Sequence, residues 1–356
     1  MSSGGVAQLV AIGAQDAFIT GKPEVSFFQS SYKRHTNFAQ VVDRQVIQGT
    51  PTPGGMSTVR FERRGDMMGF VYLAPIGSTG ATSVNDWTTI ISSVEFYIGG
   101  QLIDAQDSFF CETLAPQLFA QNMSKSTNGG GHIGGSSYFY PLRFTFCENA
   151  QSALPLVALQ YHDVEIRIYW GSDWLSDGVT SFDVYTQYIF LDESERKYMA
   201  DKEHTMLITQ VQKMTPSNLP SQDITFNHPI KYLASYDVSS DPDTGDPIYG
   251  ALTSTSNKVI LKINGSDIGD YKYATPNYTD VMMYYYTPYT TTSQSIFLYP
   301  FCLDTAKLQP TGTLNFSRLD SVRLVSSGLP ITTTIYGVNY NILKIQGGMG
   351  GLMYSN

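Results

Sequence analysis

The sequence predicts an all-β protein: two tandem antiparallel barrels or sandwiches of about eight strands each. Three observations carry this reading. The composition, with 24 Tyr, 19 Phe, 31 Gly and only 15% charged residues, is that of strands and loops rather than helices. The 356 residues exceed one ordinary domain and fit two. A faint internal repeat then divides the chain. Ile98-Gly99-Gly100-Gln101-Leu102-Ile103, Tyr140-Pro141 and Asp163-Val164-Glu165-Ile166-Arg167 return in order as Ile263-Asn264-Gly265-Ser266-Asp267-Ile268, Tyr299-Pro300 and Asp320-Ser321-Val322-Arg323-Leu324. The offsets are 165, 159 and 157 residues, as expected for one β-domain duplicated.

Residues 1–23 read as an arm, small and weakly amphipathic, whose apolar Val6, Leu9, Val10 and Ile12 need burial somewhere. The first barrel is expected over 24–191. Its strand-like runs lie at 24–28, 41–48, 58–62, 67–74, 92–98, 138–146, 163–170 and 182–191, several with period-two alternation as in Val94, Phe96 and Ile98. Residues 109–121 are a helical candidate that Pro116 should kink or break, and 124–137 form a Gly/Ser/Asn loop. Residues 192–203, with eight charges in twelve, predict a short exposed linker helix; Asp192 and Glu195 have capping-box spacing, and Glu193 and Lys197 stand four apart. The second barrel and a C-terminal tail are expected over 204–356. Its runs are 206–212, 224–226, 230–238, 258–263, 295–303, 313–316, 320–325 and 331–345, interrupted by a polar loop at 241–257.

A net charge of −9 argues against nucleic-acid binding, which needs clustered cations; the one tight basic group is Arg60, Arg63 and Arg64. No run approaches the ~18 apolar residues of a membrane span, and residues 1–20 do not read as a secretory signal. Cys111, Cys147 and Cys302 are few and widely spaced, and read as reduced, buried thiols. Low charge also suits a subunit that hides much of its surface against neighbours.

The chemistry-bearing residues predict neither a catalytic nor a metal site. His35, His132, His162, His204 and His228 are isolated, without the spacing of zinc ligands. His162 beside Asp163 reads as a hydrogen-bonding pair at a strand start. The Gly129–Gly135 run lacks the Lys-Ser/Thr of a phosphate loop. No cofactor is implied. Sequons occur at Asn122, Asn264, Asn277 and Asn315, of which Asn277 is the candidate glycan acceptor.

Several stretches resemble the major capsid proteins of nucleocytoplasmic large DNA viruses. They are Gly4-Gly5-Val6-Ala7-Gln8-Leu9-Val10-Ala11-Ile12-Gly13-Ala14-Gln15-Asp16; Tyr32-Lys33-Arg34-His35-Thr36-Asn37-Phe38; Pro141-Leu142-Arg143-Phe144; Ala153-Leu154-Pro155-Leu156-Val157-Ala158-Leu159-Gln160-Tyr161-His162; Gly312-Thr313-Leu314-Asn315-Phe316-Ser317-Arg318; and Gly347-Gly348-Met349-Gly350-Gly351-Leu352. The resemblance implies a double jelly roll and a non-enzymatic building block that forms a homotrimeric, pseudo-hexameric capsomer of an icosahedral shell. It also implies contacts with neighbouring capsomers and with minor capsid and penton proteins, and a place in the virion capsid after assembly in the infected cell's cytoplasm. The chain is short for this family, which implies a plainer capsomer top. The alternatives are a jelly-roll sugar-binding protein or glycoside hydrolase, and a minor capsid or penton protein.

Overall fold

The computed structural model describes residues 3–122, 125, 137–172, 178–240, 247–288 and 296–355. The Gly129–Gly135 run with His132, and 241–246 of the polar loop, lie outside them. Met1–Asn37 forms one unit and Phe38–Asn356 a second. The expected first strand at 24–28 is not a strand; pairing begins at Phe38, so the arm unit is longer than the 23 residues expected. Residues 24–37 pass through a turn at Phe27–Phe28 and pair with no strand, and none of their side chains is buried.

In the second unit, the first roll comprises β1 (Phe38–Gln45), β2 (Met56–Arg60), β3 (Met67–Gly77), β4 (Ile91–Ile98), β5 (Gln101–Asp107), β6 (Tyr140–Pro141), β7 (Leu154–Pro155), β8 (Val164–Trp170) and β9 (Val179–Leu191). One sheet runs β1-β9-β3, with β6 and β7 sharing the far side of β3 as two halves of one broken strand; the facing sheet runs β2-β8-β4-β5. The second roll comprises β10 (His204–Met214), β11 (Ser221–Asp223), β12 (Pro229–Tyr236), β13 (Lys258–Ile263), β14 (Ser266–Tyr273), β15 (Ile296–Pro300), β16 (Leu314–Asn315), β17 (Val322–Ser326), β18 (Ile335–Gln346) and β19 (Met349–Leu352). It repeats the order: β10-β18-β12 with β15 and β16 beyond, facing β11-β17-β13-β14. Every pairing in these sheets is antiparallel, and each roll has the eight-strand connectivity of a jelly roll.

The register shows the duplication residue by residue. Leu73 pairs with Tyr140 as Leu233 pairs with Tyr299. Ile98 faces Gln101 across Gly99-Gly100, as Ile263 faces Ser266 across Asn264-Gly265. Both central residues of each turn have positive φ (57° and 81°; 50° and 79°), the geometry that two-residue hairpins demand and that Gly and Asn tolerate. One expectation is corrected. Val164 pairs with Ile98 and Val322 with Ile263, so Val164 matches Val322, not Ser321. A one-residue slip would exchange the buried and exposed faces of the strand.

Each roll buries an apolar core between its sheets. In the first, Trp170 stacks on Phe182 at 4.5 Å and gives its indole N–H to the Ser57 hydroxyl at 2.9 Å. The second core holds Phe226, Leu233, Leu261, Phe297 and Leu324. A third apolar layer joins the rolls: Tyr232, Ala234, Tyr336 and Val338, on the outer face of the β10-β18-β12 sheet, pack with the first roll's core cluster.

Between β5 and β6 the chain is helical, with a π-helical turn at Phe110–Leu114 followed by α-helix at Ala115–Leu118. Pro116 has no N–H for the carbonyl four residues back and its ring crowds that group; a wider turn accommodates both. The expected strand at 138–146 shrinks to Tyr140–Pro141, followed by a helical turn at Thr145–Glu148. The linker helix forms at Glu193–Asp201, but without the expected capping box: the Asp192 side chain caps no backbone N–H. Instead Arg196 pairs with Asp66 at 2.8 Å, tying the linker to the first roll.

Candidate assembly surfaces

The arm's helix Ser3–Val10 carries Val6, Leu9 and Val10, with Ile12 just beyond, and all four are exposed. The apolar run is longer than the four residues singled out: Phe18, Ile19, Val25, Phe27, Phe28 and Tyr32 are exposed as well. They lack the spacing of one helix face, so periodicity could not reveal them.

The basic group is neutralised locally. Arg60 and Arg63 pair with Asp163, and Arg64 with Glu62 and Asp43. Asp163 is thus committed to arginines, and the expected His162–Asp163 pair is not formed; His162 Nδ1 instead meets the Gly350 carbonyl of β19 at 2.9 Å. Cys111, Cys147 and Cys302 are free thiols, and burial pushes Cys111 and Cys147 well above the usual thiol range, the state of inert core groups. Among the described residues no cluster of three or more His, Cys, Asp or Glu could hold a metal, and no helix is long and apolar enough to cross a membrane. Asn277 closes the helical turn Ala274–Asn277; it is half-buried and donates its amide to the Tyr273 carbonyl at 2.9 Å, while Thr279 of its sequon is wholly buried.

The contact between the rolls is built mainly from the first roll's β5 and the helical segment after it. Phe109 packs edge-on against Tyr236 at 5.8 Å, and Phe110 against Tyr336 at 5.5 Å. Gln210 reaches the Ile103 carbonyl, and the Val211 N–H donates to Asp104 at 3.0 Å. Tyr336 gives its hydroxyl to Asp107 at 2.9 Å. The Asp104 carboxyl, 6% exposed, is pushed up to about 7, chiefly by burial and against three hydrogen bonds that pull the other way.

Among the described residues, the equivalent surfaces at the two ends of the pair are exposed. The strand β14, counterpart of β5, is exposed along all eight residues. After it, the helix Asp280–Tyr286 anchors itself by the buried Met283 and exposes Val281, Tyr284 and Tyr285. On the first roll, the outer face of the β1-β9-β3 sheet holds an open groove of about 880 Å³ lined by Phe70, Tyr72, Phe139, Leu142 and Gln187, with the charged Lys125, Arg143 and Glu148 also in its wall. Tyr72 stacks on Tyr185 at 5.3 Å and meets Phe139 edge-on at 5.9 Å.

Two jelly rolls of one topology, joined by an apolar layer, define the class: a double jelly-roll structural protein. Comparison with known proteins agrees. Residues 26–236 match the model of the major capsid protein N-terminus, and 195–351 that of the large eukaryotic DNA virus major capsid protein. The chain is 32% identical to the major capsid protein of Pyramimonas orientalis virus and 31% identical to that of Paramecium bursaria Chlorella virus 1, over 99% of this chain and all of each relative. Among solved structures, PBCV-1 VP54, fitted into a reconstruction of the Sputnik virophage, superposes with a TM-score of 0.79 at 26% identity, covering 93% of this chain and 100% of that one. The Faustovirus major capsid protein shares the fold at a TM-score of 0.66 and 12% identity, covering 94% of each chain. The chain belongs to the major capsid protein family of the large eukaryotic DNA viruses. It is a structural capsid protein, not an enzyme, and these relatives support neither the sugar-binding nor the glycosidase alternative. The alignments spread over 401 and 441 residues against 356 here, so both relatives carry insertions that this chain lacks.

Proposed function

We propose that the chain assembles as a homotrimer whose six rolls give a nearly hexagonal capsomer, and that these capsomers tile an icosahedral shell. The observation that carries this is the duplication: two rolls of one topology, joined through an apolar layer, present similar outlines to their surroundings. Three such chains place six similar bodies around one axis, the shape that packs with six neighbours. Contacts within the trimer are then large and apolar like obligate interfaces, and those between trimers smaller and more polar. The test is mass in solution: a species near three times 39.4 kDa is expected, and a chain that stays monomeric at micromolar concentration overturns the reading.

The arm, with Val6, Leu9, Val10 and Ile12, is the proposed contact for minor capsid and penton proteins or a neighbouring capsomer. Copy number per particle separates the major from a minor or penton role, since the reading requires this chain to dominate the shell. The ion-paired Arg60, Arg63 and Arg64 leave no cluster suited to phosphates, which favours a shell without direct genome contact. Three unpaired cysteines fit assembly in a reducing compartment, the infected cell's cytoplasm. Asn277 is the proposed glycan acceptor. With Thr279 buried, its modification must precede closure of the roll, and peptide mapping of virion protein that finds Asn277 unmodified removes it.

A further inference from the structure

We propose that the open groove on the first roll receives the helix Asp280–Tyr286 of a second copy, repeating between copies the contact that the two rolls make within one chain. This rests on the trimeric reading and adds which surfaces meet. The strand register supplies the correspondence. Leu73 and Leu233 face Tyr140 and Tyr299, so Tyr72 matches Tyr232. Tyr185 opposite Tyr72 then matches Val338 opposite Tyr232, and two residues on, Gln187 matches Tyr340. In the second roll these positions are closed, with Tyr232 and Val338 at 0% exposure and Tyr340 at 7%. What adjoins that face is the segment that follows β5: Phe109 and Phe110 lie on Tyr336, and Gln121 donates to the Ala306 carbonyl at 3.3 Å.

Among the described residues of the Phe38–Asn356 unit, none covers the same face of the first roll. Phe70 is 39% exposed and the groove runs over Tyr72 and Gln187. The second roll offers the matching segment unused. It follows β14 as the Phe109 segment follows β5, and it exposes Tyr284 and Tyr285 at 72% and 71% while Met283, immediately before them, is buried. Aromatic side chains held out by an anchored helix are the groups that dominate interfaces when a pocket receives them. Seat and plug lie on different rolls, so the contact is head-to-tail. Repeated with the rotation that relates like rolls, it closes a ring rather than pairing two copies face to face.

The direct test places the photo-reactive residue p-benzoylphenylalanine at position 285 of the full chain and mixes it with isotope-labelled copies. Cross-links between copies are expected on peptides spanning 67–77, 138–150 or 184–190. Trimers whose inter-copy links fall elsewhere overturn this proposal and leave the trimer standing; a monomeric chain without inter-copy links overturns both. A second test uses Phe70→Glu and, separately, Tyr284→Glu with Tyr285→Glu. Each is expected to weaken trimers roughly thirtyfold or more. Mixed one to one, they retain one intact seat and one intact plug, and dimers are expected. Folded variants that stay trimeric, or a mixture without dimers, refute the proposal; the cross-linking decides if a variant does not fold.

Discussion

Asp104 makes the joint between the rolls sensitive to pH. Its carboxyl is pushed from an ordinary 3.8 to about 7, chiefly by burial. Between those values the folded chain holds a proton that the unfolded chain has released. The stability this supplies is full below about pH 4, falls as pH rises toward 7, and is gone above it, a loss on the order of a few kcal/mol. Glu112, pushed up to about 8 chiefly by burial, acts in the same direction. Thermal melts should therefore weaken from pH 5 to 8, and Asp104→Asn should flatten that slope; a variant with the wild-type slope refutes the assignment. A second prediction concerns the paired hairpins. Asn serves at position 264, yet a Cβ at Gly99 would lie 2.3 Å from His162 Nδ1. Gly99→Asn should cost about 1–3 kcal/mol and speed amide exchange in β19 as His162 leaves Gly350. Unchanged melting and exchange would show that the corner yields freely. Both hairpins were legible because Gly-Gly and Asn-Gly state their backbone geometry. The identity of Asp163 and Asp320 suggests a register one residue off, because burial of alternate residues, not identity, sets a strand's faces: Val164, Ile166 and Ile168 correspond to Val322, Leu324 and Ser326.

Among the elements, the helical segment after β5 governs the coupling of the rolls. Phe110, fully buried, contacts Phe119 at 5.6 Å and Tyr336 at 5.5 Å. Phe110→Ala should cost about 3–5 kcal/mol and turn one calorimetric transition into two as the rolls separate. A single transition at the wild-type temperature would remove the segment from that role. The sequence announced this segment through its apolar run and Pro116, but not its duty, because the partner residues Tyr236 and Tyr336 lie more than a hundred positions away. The strand β14 went unread for a different reason. All eight of its residues are exposed, so the alternation that marks a half-buried strand is missing. Short strands such as Leu314–Asn315 were legible only as parts of longer apolar runs, since two residues carry no period.

For the molecule as a whole, the separation of Met1–Asn37 from Phe38–Asn356 predicts the effect of truncation. Removing residues 1–37 should leave the melting temperature and the trimeric state unchanged and sharply reduce closed particles in an assembly assay. Unfolding on truncation would place the arm in a core, and normal particles would make it passive. The contact of His162 with Gly350 has a further consequence for synthesis. The two residues stand 188 positions apart, and Tyr161 likewise bonds the Gly348 carbonyl at 2.9 Å. At ~5–20 residues per second, roughly 10 to 40 seconds separate their arrival on a ribosome. For most of that interval the nascent first roll lacks Tyr336, the partner of Phe110 and of the Asp107 carboxylate, since that residue has yet to be translated. The half-made chain is thus the state most in need of a chaperone.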